Sequence, residues 1–225
     1  MNASRPSASE ATVRTFAFVD LAGFTALTEA HGDEAAVDIV GGFFDRASSA
    51  VAGRGEVVKT LGDAVMLAFA SPTDALVAVG ELLEASVADS TLPAPRAGLN
   101  HGPAIRRDDD WFGAAVNLAA RIAGQASGGE TLATAGVASA ACGLGLPTVD
   151  LGCFDLRNIL EPVELFQIEL IPPVEAISID PVCRMQIAHT SAAGRLRRGD
   201  VDLWFCSLMC VEAFIADPSR YPPES

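Results

Sequence analysis

The sequence predicts an α+β sandwich on a mostly antiparallel sheet, followed by a small cysteine-containing C-terminal domain. Three observations carry that expectation. Apolar, β-branched runs mix with segments of helical apolar spacing, without the strict strand–helix–strand alternation of a parallel sheet. Pro172-Pro173 cannot continue a strand interior and marks a change of composition. Beyond it lie three of the chain's five cysteines.

Residues 1–13 are polar and read as a flexible N-terminus. Residues 14–20, RTFAFVD, form a strand ending in an acid, and 24–31 and 35–52 have helical spacing. Residues 56–69 make a hairpin broken at Leu61-Gly62, and 72–88 are helical. Strands over 95–100 and 104–107 are expected to be joined by a turn at His101-Gly102, with a helix over 113–126. Short strands follow near 130–133, 148–156 and 163–171. Trp111 and Phe112 read as core anchors, and Cys142 and Cys153, which have no partner spacing, as core thiols. This gives a sizeable domain over 14–171, a linker over 172–177 and a small module over 178–222.

Composition excludes several functions. At 225 residues the chain has room for one sizeable domain and a small one. A formal charge of −14 argues against nucleic acid or an anionic membrane as partner, and a phosphate ligand would need local cations or a metal. The N-terminus lacks the apolar segment of a signal peptide. The uncharged run over 131–149 is too interrupted by Gly, Ser, Thr and Pro to span a membrane. Five cysteines without a secretion signal suggest a reducing cytoplasm, where thiols stay free or bind metal.

The charged residues set inside apolar segments are the candidates for chemistry. Asp20 ends a strand that runs into Leu21-Ala22-Gly23-Phe24-Thr25. Such an Asp caps a helix, or it ligates a hard cation beside backbone N–H groups able to hold phosphate. Lys59 and Asp63 flank the hairpin break. With a two-residue turn there, Thr60 is expected opposite Asp63 and Lys59 on the other face, so the two charges do not meet. Asn117 and Arg121, four apart on a helix, decorate a surface or present an amide and a fixed cation to a phosphoryl group. Asp110 belongs to the acidic run Asp108-Asp109-Asp110, a solvated loop unless it has a partner.

Taken in order and spacing, "FVDLAGFT", "VVKTLGDAVMLAF" and "DWFGAAVNLAARI" resemble the catalytic domain of class III nucleotide cyclases. The resemblance covers about 14–171 and closes on "FDLRNILEPVELFQI". It implies a ferredoxin-like sandwich that works as a head-to-tail homodimer with active sites between subunits. It further implies that Asp20, Asp63 and the Leu21 carbonyl bind two Mg²⁺ or Mn²⁺ ions, and that Gly23, Phe24 and Thr25 border the triphosphate. By the same resemblance Lys59 and Asp110 read the purine, while Asn117 and Arg121 serve the transition state. Adenine offers an N1 acceptor and an amine donor, which suit Lys59 and Asp110; guanine mismatches both. ATP is therefore the expected substrate and adenylate cyclase the expected activity. A guanylate cyclase and a catalytically silent nucleotide-binding dimerisation module are the alternatives. Two departures stand out: the arm "GPAIRRDD" is short, and Arg157-Asn158 replaces a frequent Lys-Gly, leaving Arg157 to bind the triphosphate.

The tail resembles a YHS domain, a small module related to metal-binding TRASH folds, in "DPVCRM" and "LWFCSLMCVEAFIADPSRY". Cys183, Cys206 and Cys210 give C-x22-C-x3-C, which suits Zn²⁺ or a softer metal, with Asp180 or His189 as fourth ligand. Alternatively the cysteines pack as small hydrophobes around Trp204 and Phe205.

Overall fold

The computed structural model describes residues 10–89, 92–172 and 177–221. Its centre is an eight-stranded sheet. In chain order the core contains β1 (Thr12–Leu21), α1 (Phe24–His31), α2 (Asp33–Val51), β2 (Gly55–Leu61), β3 (Ala64–Phe69) and α3 (Pro72–Val87). It continues with β4 (Pro95–Arg107), β5 (Asp110–Phe112), α4 (Ala114–Ala123), β6 (Thr131–Thr134), α5 (Ala135–Gly143), β7 (Thr148–Phe154) and β8 (Val163–Ile168). The strands lie in the order β2-β3-β1-β4-β6-β8-β7, with β5 paired to β4. Only the β4–β6 pairing is parallel among them.

Alternation along β1 explains the layers. Ala17, Val19 and Leu21 face one side, where they pack with Phe43 of α2, Leu76 and Val79 of α3, and Val137 of α5. Phe16 and Phe18 face the other, where Met66 and Ala68 of β3 meet Trp111 and Val116 and Ala119 of α4. Three helices thus cover one face and α4 part of the other. Gly98 on β4 makes the second contact possible, since a Cβ there would lie 2.0 Å from the Ala123 amide nitrogen.

Several sequence expectations need correction. The N-terminal segment is already paired from Thr12, opposite Ala104 on β4. His101-Gly102 is no turn: β4 runs unbroken through it because β1 is long enough to pair with it over ten rungs, placing His101 opposite Thr15 and Gly102 opposite Arg14. Thr15 Oγ1 and His101 Nδ1 lie 2.8 Å apart. The hairpin turn is Gly62-Asp63, one residue later than expected, with Gly62 at φ 67°. Thr60 consequently faces Val65 and not Asp63. Helix α5 was not foreseen, because its Ala, Gly and Ser leave no one-sided apolar pattern to read. Phe112 is 52% exposed, whereas Trp111 is core. Cys142 and Cys153 are exposed, on the outer side of α5 and on the edge strand β7.

The C-terminal segment forms two hairpins, β9 (Ile177–Ile179) with β10 (Gln186–Ala188) and β11 (Gly194–Arg198) with β12 (Val201–Phe205), then α6 (Leu208–Ala216). Of the expected linker, 173–176 lie outside the described residues, as does the N-terminal stretch 1–9. The segment docks on the core through the Gln186 amide, which donates to the Leu92 carbonyl at 3.1 Å. Its small core of Val182, Phe205 and Phe214 takes in Ala30 of α1. Among the described residues no helix is long and apolar enough to cross a membrane.

Candidate active site

Strand pairing brings the first two acids together. Asp20 is the penultimate residue of β1, opposite Ala64 at the start of β3, and Asp63 occupies the turn beside it. Burial, then the charge of Asp20 and a hydrogen bond to it, push the Asp63 carboxyl up to about 6. Arg96, opposite Asp20 on β4, donates from Nε and Nη2 to Asp20 Oδ2 at 3.0 and 2.6 Å. Its Nη1 also donates to the Ala126 carbonyl at 3.2 Å. Arg96 escaped the sequence reading, although a lone arginine in an apolar strand was a signal. Two crowded carboxylates need more positive charge than one shared guanidinium provides. An all-oxygen set of this kind fits Mg²⁺ or Mn²⁺.

The chain leaves β1 through Gly23, which takes φ 83° immediately before α1, and no side chain caps the helix. The first-turn amides at Thr25 and Ala26 therefore lack the partner that a Ser or Asp cap would give. A cleft opens at this point, lined by Ala22, Gly23, Thr25, Arg96, Gln125 and Arg184. Two arginines and a helix start make its floor suited to an anion. Leu21 is buried, with its side chain in the core.

Lys59 does not meet Asp63. Its Nζ donates to Asp110 Oδ2 at 2.6 Å and lies 5.9 Å from the Phe112 ring centroid. Asp110 Oδ1 accepts from the Trp111 amide at 2.8 Å, and the Trp111 indole donates to Glu56 at 2.8 Å. The hydrogen bond from Lys59 holds the Asp110 carboxyl below the usual carboxylate range. Lys59 sits opposite Met66 and shares the α4 face of the sheet with it.

Asn117 and Arg121 share the exposed face of α4, opposite the buried stripe of Ala115, Ala119 and Ile122. Among the described residues no side-chain hydrogen bond or ion pair engages either of them. One copy of the chain does not bond them to the Asp20–Asp63 pair. Arg157 is exposed in the β7–β8 loop, and Asn158 beside it adopts φ 63°. Asn tolerates this left-handed conformation better than other side chains, so it supplies the backbone shape that a glycine would.

Two solved structures share the architecture. Adenylate cyclase from Trypanosoma brucei in its monomeric state superposes with TM-score 0.66 at 25% identity, covering 76% of this chain and 95% of the other. An adenylate/guanylate cyclase/hydrolase from Silicibacter pomeroyi gives TM-score 0.62 at 26% identity, covering 74% of this chain and all of the other, 100%. The fold is class III adenylate/guanylate cyclase-like. No family model matches the chain. Over 170 residues the chain is 37% identical to a pH-sensitive adenylate cyclase of Mycobacterium tuberculosis (strain CDC 1551 / Oshkosh), covering 72% of this chain and 41% of that relative. The chain thus spans less than half of that curated relative's length.

Outside the cyclase-like core, the three tail cysteines converge. Cys206 Sγ lies 3.4 Å from Cys183 Sγ and 3.6 Å from Cys210 Sγ. Neither expected fourth ligand joins them. Asp180 lies beside the cluster, near the Cys206 and Cys210 thiols, but outside the set of converging ligand atoms: its Oδ1 accepts from the Val182 and Cys183 amides, and its Oδ2 from the Cys206 amide at 2.8 Å. The His189 ring stacks on Trp204 at 4.0 Å and bonds Ser178. The group that does join them is His31, at the end of α1, whose Nε2 lies 3.7 Å from Cys206 Sγ.

Proposed function

We propose that the chain is an adenylate cyclase, converting ATP to 3′,5′-cyclic AMP and pyrophosphate in composite sites between two head-to-tail copies. The observation that carries this reading is the Asp20–Asp63 pair at a strand end, beside the uncapped start of α1, in a cyclase-like fold. In the reaction the ribose 3′-oxygen bonds to the α-phosphorus and loses its proton, while the bond to the pyrophosphate oxygen breaks. Asp20, Asp63 and the Leu21 carbonyl would hold two divalent ions, which supply acidification of the hydroxyl and neutralisation of the phosphates. Gly23, Phe24 and Thr25 border the triphosphate, and Arg157 reaches it from the β7–β8 loop.

The second copy completes the site. Arg121 faces the charge growing on the α-phosphoryl oxygens, and Asn117 orients the ribose. Their exposure on α4, without side-chain partners among the described residues of their own chain, supports this division of labour. Lys59 and Asp110 open toward adenine, the lysine donating to N1 and the carboxylate accepting from the amine. The same pair disfavours guanine, and with it the guanylate cyclase alternative. Incubation with Mn-ATP or Mn-GTP tests the proposal. Cyclic AMP as the main, metal-dependent product is expected; absence of any cyclic nucleotide would refute it.

A further inference from the structure

We propose that His31, Cys183, Cys206 and Cys210 form one tetrahedral zinc site that fastens the C-terminal segment to α1 of the core. Their four ligand atoms all lie within 4.8 Å of one another. Zinc bonds of about 2.3 Å to sulfur and about 2.0–2.1 Å to nitrogen give tetrahedral edges of roughly 3.8 Å (S–S) and 3.6 Å (S–N). The contacts of 3.4, 3.6 and 3.7 Å made by Cys206 are close to those edges. They are too long for a disulfide, whose sulfurs stand about 2.05 Å apart. Three thiolates with one imidazole is a closed, soft-leaning set that suits zinc.

The surroundings are built to aim these ligands. Asp180, fully buried, ties the backbone at Cys183 to the backbone at Cys206 through its two oxygens. Ser207 caps α6 by accepting from the Cys210 amide at 3.2 Å, which orients the first turn of that helix. Such outer contacts to ligand-bearing backbone fix a site before the ion arrives. Cys183 and Cys210 are buried, and Cys206 is half-buried beside His31.

Ligation by His31 makes this a joint between the core and the tail and not a staple within the tail. Helix α1 is touched at both ends by the C-terminal segment. His31 contributes to the cluster at its C-terminus. At its N-terminus Arg184, the neighbour of Cys183, lies over Gly23 so closely that a Cβ on Gly23 would stand 2.6 Å from Arg184 Cβ and 2.3 Å from Cγ.

The test uses the full chain, purified without a histidine tag and reloaded with zinc alone. One zinc per chain is expected, with X-ray absorption giving three sulfurs and one nitrogen. His31→Ala is expected to weaken zinc binding at least about 10-fold and replace the nitrogen by water oxygen. His31→Cys, which restores a fourth ligand, is expected to recover the affinity even where the alanine variant is poorly folded. His189→Ala is expected to change neither stoichiometry nor coordination. Absence of stoichiometric zinc, or an unchanged affinity and coordination shell in His31→Ala, would overturn the proposal.

Discussion

Lys59 and Asp110, fifty-one residues apart, form a 2.6 Å ion pair on the α4 side of the sheet. In the proposed reading this pair opens to bracket adenine. Asp110→Ala is therefore expected to reduce ATP-over-GTP selectivity by roughly 10–100-fold, the cost of one mismatched buried contact. Because Lys59 depresses the Asp110 carboxyl, the pair is complete above the unfolded value of about 3.9 and is lost only as pH falls below it. Selectivity is thus expected to stay flat from about pH 5 to 8. Steady-state rates with both nucleotides across that range provide the check.

Asp63 predicts opposite effects on stability and activity. Its folded pKa of about 6, above the ordinary carboxylate value of 3.8, means the charged form is disfavoured in the metal-free fold. That penalty is full above about pH 6 and fades as pH falls toward 4. Discounted for partial exposure and for Arg96, Asp63→Asn is expected to stabilise the metal-free protein by about 1 kcal/mol at pH 7.5. Activity in the variant is expected to vanish. Mn²⁺ is expected to raise Tm in the wild type by mass action and not in the variant. Thermal melts in EDTA and in Mn²⁺ measure both.

Much of this was legible in the sequence, for reasons that differ by residue. Asp20, Lys59 and Asp63 stand out because charge is unexpected inside apolar strands, and a shared motif order ties them together. The break expected between 95–100 and 104–107 does not exist: His-Gly resembles a turn locally, but its pairing with β1 is set some 85 residues away. His31 was invisible as a ligand. No spacing relates it to cysteines more than 150 positions later, and only the docking of the tail on α1 brings them together. Cys142 and Cys153 show the converse, where an apolar residue type sits on an outer surface.

Backbone contacts give two stability predictions. Gly98→Ala is expected to cost about 3 kcal/mol or more, because its methyl would collide with the Ala123 backbone and push α4 off β4. Asn158→Ala, at φ 63°, is expected to cost about 1 kcal/mol, while Asn158→Gly is neutral or stabilising. Urea denaturation of the three variants ranks them.

Chelation is expected to loosen both the tail and the helix it grips. With zinc removed, proteolysis within 177–221 is expected to rise, and hydrogen exchange to quicken in α1 but not in β1 or β4. Equal protection of α1 with and without chelator would separate the tail from the core.

The central claim is that two copies of this chain assemble one site from complementary halves, and mixing inactive variants tests it most directly. Asp63→Ala and Arg121→Ala are each expected to be inactive alone. Random pairing at equal concentration puts half the chains in mixed dimers, each with one intact and one doubly damaged site. The account predicts recovery of about a quarter of wild-type cyclic AMP formation. Demonstrated subunit exchange with no recovered activity would contradict it.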